Sequence, residues 1–178
     1  LLGLQNYKGG VRISMLTGKD AIDDYERKHA TIQEATHLLS VKPDQVDSGI
    51  RKLLEANAAL KSKLIAFQRQ IGEEKANAVL EGTKKVCFLE PNFQNDELRE
   101  MCNKAAVKAE LVLGLLPIRE GMCQYVLVST RKDVREAGKE LNSRFQGKGG
   151  GQPSMVQGTL MADGEEIRSF FLDTLNAE

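Results

Sequence analysis

The chain has 178 residues, 41% of them hydrophobic and 28% charged, with 25 basic side chains balanced by 25 acidic ones. That mixture excludes a mainly disordered or collagen-like chain and a uniformly basic nucleic-acid binder, while leaving room for a local basic patch. No apolar run reaches the ~18 residues of a membrane span, and the three cysteines at wide spacings (Cys87, Cys102, Cys123) read as reduced, buried thiols of a cytoplasmic protein.

Residues 1–18 read as two strands around a Lys8-Gly9-Gly10 turn, with Val11, Ile13 and Met15 alternating with Arg12 and Ser14. Two strands alone are marginal, and an opening Leu1-Leu2 without Met suggests the continuation of a longer chain. From residue 19 to 82 the pattern is helical. A first helix over 19–39 places Ile22, Tyr25, Ile32, Ala35 and Leu39 near one face, and Pro43 and Asp44 open a second that runs to about Glu81. Val46, Ile50, Leu53, Asn57, Leu60, Leu64, Phe67 and Ile71 alternate steps of four and three, an unbroken heptad seam. Such a stripe predicts a helical hairpin or coiled-coil arm in which another helix covers the seam. Because the first helix is the shorter, the leftover stripe predicts a homodimer. Asn57 within the seam is a register device or an amide that reaches water, and the pattern leaves both open. His29 and His37 lie two helical turns apart, roughly 12 Å, too far to chelate one ion.

Residues 83–178 read as a small α/β unit. Strands are expected at 86–89, 111–116, 125–129 and 155–161, and helices at 96–109, 133–145 and 165–175. The fold class is therefore α/β (α+β): a long helical arm followed by a small mixed sheet with flanking helices. The run Gly149-Gly150-Gly151 is its one unusual local feature, expected as a loop. Residues 131–148 before it carry six basic against three acidic side chains in a chain of zero net charge. Lys139, Arg144, Lys148, Gly149, Gly150, Gly151 and Gln152 are therefore the candidate phosphate-binding surface. A plain surface turn after a solvated helix fits the same residues. No Gly-Lys-Ser/Thr tail makes the run a Walker loop, and a helix rather than a strand precedes it, unlike a dinucleotide fingerprint. No histidine lies beyond His37, so no catalytic residue and no metal ligand is assigned.

The segments Gly138-Lys139-Glu140-Leu141 and GKGGGQPSMVQG (Gly147–Gly158) resemble the C-terminal signature of alanyl-tRNA synthetases and of free-standing, long-form alanyl-tRNA editing proteins, a unit described as the DHH-associated domain. Asn6–His29 is similar to the exit strands of their editing domain, and the free-standing editing proteins are the nearer match there. Two positions depart: Thr159-Leu160 stand where family members carry further glycines, and Gln152 where related phosphoesterases carry a His. The resemblance implies a non-catalytic C-terminal half that binds tRNA, with tRNA-Ala the expected species, and joins subunits. The parent would be a zinc-dependent hydrolase of mischarged seryl- or glycyl-tRNA, its zinc site upstream of residue 1 and no cofactor in this part. The alternatives are a substrate-binding subdomain of a DHH-type phosphoesterase and a purely structural dimerisation module.

Overall fold

The computed structural model describes residues 1–174. The chain divides into two compact units, the second beginning at Ser62. Over the described residues the architecture is mixed α/β, with five α-helices, a five-stranded mixed sheet and a separate two-stranded antiparallel sheet.

In the first unit, β1 (Gly3–Tyr7) and β2 (Gly10–Ser14) pair antiparallel, Tyr7 opposite Gly10. The two turn residues Lys8 (φ 42°) and Gly9 (φ 80°) both occupy the left-handed region, the type I′ geometry whose twist matches a hairpin. Every residue of both strands is exposed. Helix α1 (Gly18–Leu39) carries Asp24 hydrogen-bonded to Arg27 and Lys28 at 2.5 Å each, and those cations hold its carboxyl below the usual range. It ends where Ser40 enters the left-handed region (φ 53°) and donates its N–H to the carbonyls of His37 and Thr36. A 3₁₀ turn at Pro43–Gln45 leads into α2 (Val46–Ala78), 33 residues and about 50 Å long.

Among the described residues of this single chain the seam has no cover. Ile50, Leu53, Asn57, Leu60, Leu64, Phe67 and Ile71 are all exposed within the single chain, Leu60 at 66% and Phe67 at 62%. Ile22, Tyr25 and Ile32 of α1 are exposed as well. The two helices meet at their junction, where Leu39 and Val41 lie against Gly49.

The second unit is built on the order β3-β4-β5-β7-β6: β3 (Thr83–Leu89), β4 (Ala109–Arg119), β5 (Met122–Val128), β7 (Met155–Leu160) and β6 (Lys148–Gln152). The β3–β4 pair is parallel and every other pair antiparallel. Crossing between the parallel strands requires a helix, α3 (Asn95–Ala105), and a two-residue turn with Gly121 at φ 68° suffices for β4–β5. Side-chain alternation then sorts two cores. Leu111, Leu113, Leu115, Tyr125, Leu127 and Val156 point to α4 (Arg135–Arg144) and α5 (Gly164–Asp173), while Val86, Phe88, Val112, Val126 and Val128 point to α3 and the last turns of α2. Each fully buried Leu or Phe contributes roughly 1.5–3 kcal/mol relative to exposure. All three thiols are free, and burial pushes Cys87 up to about 12 and raises Cys102 and Cys123.

Two small residues let α2 dock. A Cβ on Gly72 would sit 3.3 Å from Met101 Cβ, and Ala76 is 2% exposed. Ion pairs surround that contact: Lys75 with Glu90, Lys104 with Glu73 (2.5 Å) and Arg69 with Glu97 (3.7 Å).

Candidate functional site

The glycine run is a correction to the sequence reading, because it is an edge strand and not a loop. Lys148–Gln152 form β6, with Lys148 opposite Thr159, Gly149 opposite Gly158 and Gly151 opposite Val156. None of the three glycines has a positive φ, so close approach rather than backbone freedom selects them. A Cβ on Gly149 would lie 2.6 Å from the Gln157 carbonyl and 2.7 Å from the Tyr125 hydroxyl. One on Gly151 would run into the Met155 carbonyl, and one on Gly158 into that of Lys148. Gly150 alone has open space where a side chain would go.

Tyr125 explains the crowding. Its hydroxyl lies beneath β6 and donates to Asn142 Oδ1 at 3.1 Å, while Asn142 Nδ2 donates to the Gly149 carbonyl at 3.4 Å. Burial raises the phenol's pKa, and the Asn142 hydrogen bond works against that rise. Strand β6 is thus fastened to α4 through one phenol and one amide.

The basic residues preceding the glycines do not converge on one surface. Arg135 forms a fork with Asp133 at 2.6–3.0 Å, holding that carboxyl below its usual range. Lys139 pairs with Glu136 at 2.7 Å and Lys132 with Glu110 at 3.7 Å. The Arg144 guanidinium lies over Phe145 (5.6 Å) and Phe170 (6.0 Å), on the α4–α5 side of the sheet. Lys148 belongs to the opposite face, since its register partner Thr159 alternates with Val156, Gly158 and Leu160, which face α4.

On that opposite face helix cover stops early. Helix α3 packs on β4 and β5, and α4 takes the other side of β7 and β6. The result is a cleft of about 470 Å³ walled by Asn95, Asp96 and Arg99 of α3 and floored by Gln124, Val126, Gln157 and Thr159, with Lys148 at the rim. Among the described residues, the amides of Gln124 and Gln157, the Thr159 hydroxyl and the Lys148 ammonium have no hydrogen-bond or ion-pair partner within the chain. Asp96 and Arg99 approach each other at 4.0 Å. Amides that both donate and accept, between two cations, can recognise a polar planar group carrying an anion. Also among the described residues, no three His, Cys, Asp or Glu side chains gather as a metal site.

No protein-family model matches the chain. Its sequence is 29% identical over 189 aligned positions to the alanine–tRNA ligase of Malacoplasma penetrans, an alignment covering 90% of this chain and 20% of that protein. The corresponding enzyme of Oleidesulfovibrio alaskensis is 23% identical over 158 positions, covering 82% of this chain and 18% of the enzyme. The chain is similar to alanine–tRNA ligases. It spans about a fifth of the length of the ligases it matches. A solved structure, the C-Ala domain from the Aquifex aeolicus alanyl-tRNA synthetase, shares 19% identity and overlays 55% of this chain and 94% of its own, with a TM-score of 0.40, a loose likeness.

Of the cleft residues, Lys148 and Gly149 were singled out from the sequence and the rest were not, although a signal was present. Gln124 interrupts the apolar parity of β5, and Gln157 and Thr159 do the same in β7. Polar residues on the same face of two neighbouring strands mark where helix cover ends.

Proposed function

We propose that the chain is a non-catalytic RNA-binding module of a protein that handles alanyl-tRNA, and that its ligand is tRNA, with tRNA-Ala the expected species. The similarity to alanine–tRNA ligases over most of the chain carries this reading. A free-standing editing parent that removes mischarged seryl or glycyl groups, with its zinc outside these residues, is the finer form of the proposal. The phosphoesterase alternative loses ground because Gln152 stands where that branch carries a His. Titration of labelled tRNA with the 178-residue chain tests the reading: a mobility shift that weakens with salt is expected, and no shift at low salt overturns it. Stoichiometric zinc remaining after chelation would overturn the metal-free part.

A second role has its own observation. The seam from Ile50 to Ile71 keeps heptad spacing and stands exposed among the described residues, and a second copy of the same helix supplies matching knobs. Sedimentation at tens of micromolar should then report a dimer, and a monomeric mass removes this role.

A further inference from the structure

We propose that the cleft between α3 and the β7–β6 rim is the seat of one unpaired nucleotide of a bound RNA, its base edge met by Gln124 and Gln157 and its flanking phosphates by Arg99 and Lys148. This rests on the RNA-binding reading and moves the contact to the opposite face of the sheet from α4.

The convergence of polar groups on one cleft decides the face, with Arg99 there lying 4.0 Å from Asp96. On α4 the cations are engaged: Arg135 by Asp133, Lys139 by Glu136, and Arg144 by two aromatic rings. In the cleft, Gln124 is half-buried yet its amide has no partner in the chain, and Gln157 and Thr159 add two more unmatched polar groups. Facing an open cleft, these groups bond to water in the free chain, and a ligand edge can take the place of that water. Amide side chains match the paired donor and acceptor of a nucleobase edge with both of their ends, whereas a phosphate uses only their N–H donors. Asp96, Arg99 and Lys148 together leave the lining with one net positive charge, enough for backbone phosphate without a strongly basic surface.

The size agrees. About 470 Å³ lies within the ~300–1,000 Å³ that holds a small organic ligand, so the cleft takes a single nucleotide and not a duplex. In a fully paired A-form helix the base edges are spent on pairing and its deep, narrow major groove is closed to side chains, whereas a loop nucleotide presents both edge and phosphates. Gly150 lies on the cleft side of β6 without a side chain, so the rim does not obstruct an approaching strand.

The test compares three variants of the 178-residue chain against a tRNA transcript, a fully paired RNA duplex and free nucleoside monophosphates. Gln124→Ala with Gln157→Ala should lower tRNA affinity about tenfold and leave the salt slope unchanged. Arg99→Ala with Lys148→Ala should reduce the slope by about 2. Lys139→Ala with Arg144→Ala should change neither. The duplex should bind weakly and be blind to the amide pair, and the mononucleotides should bind far more weakly than tRNA. Amide variants that bind tRNA like the wild type, or a slope carried by Lys139 and Arg144, overturn the cleft while leaving RNA binding intact. Mononucleotides that match tRNA affinity overturn RNA as the occupant. A wild-type chain that binds no RNA overturns both readings. Unchanged thermal unfolding of each variant shows that the residues act through the ligand.

Discussion

The two units of this chain answer the same hydrophobic sequence content in opposite ways. Between residues 1 and 61, Thr36 is the only buried side chain, while Leu4, Ile13, Tyr25, Leu53 and Leu60 stand in solvent. From Ser62 onward, comparable Leu and Ile residues line two closed cores on either face of one sheet. The difference lies in what surrounds each stripe. A strand with neighbours on both sides and helices above and below can bury every second side chain, whereas a lone ribbon or an unmated helix offers no second surface. Apolar periodicity thus specifies that a face seeks cover, and only the number and length of neighbouring elements specify where it finds it.

Truncations in the two units would break that contrast if it were false. Leu113→Ala should cost about 2–5 kcal/mol in denaturant unfolding, because Leu113 is fully buried and its removal leaves a cavity. Leu53→Ala should stay within about 0.5 kcal/mol in dilute solution and act instead on the concentration dependence of self-association. A smaller contrast of the same kind exists inside β6–β7. Gly158→Ala should destabilise by about 1–3 kcal/mol, since its Cβ meets backbone that cannot retreat, while Gly150→Ala should be near neutral, within about 0.5 kcal/mol. Equal losses at the two glycines would remove the close-approach account of the run.

The element plan was largely legible. The Lys8-Gly9 turn, the Pro43 break and the short apolar runs of β4 and β5 each carry their own local signal, and the structure places strands and helices there. The glycine run was not legible as a strand because glycine has low β-propensity and is the commonest loop residue. What makes it strand is nonlocal: the Tyr125 hydroxyl and the β7 carbonyls leave no room for side chains at Gly149 and Gly151. The same limitation hid the cleft, whose lining comes from α3, β5, β7 and β6, and it scattered Lys139, Arg144 and Lys148 over two faces although they lie within ten residues of one another in sequence.

The smallest effect separates a buried thiol from its unfolded counterpart. Burial raises Cys87 from 9.0 to about 12, so between those values the native chain holds a proton that the unfolded chain has released. Its contribution is fully present below pH 9 and is lost as pH rises toward 12, with stability falling over that window. The wild type should therefore lose on the order of 1 kcal/mol more than Cys87→Ala between about pH 8 and about pH 10, measured by denaturant titration. Parallel pH profiles for the two proteins would show that the thiol ionises freely in the fold.

The position of β6 at the end of the sheet order has a consequence for solubility. An outermost strand with one open row of backbone donors and acceptors is a template on which another chain can extend the sheet, and proteins commonly blunt such edges with charge or brevity. Here the edge is five residues long, begins with Lys148 and is otherwise nearly bare of side chains. Glycine gives a recruited strand nothing to pack against and surrenders the most backbone entropy when fixed. The crowding that forbids a Cβ at Gly149 and Gly151 also prevents single substitutions there from building the β-branched stripe on which fibrils grow.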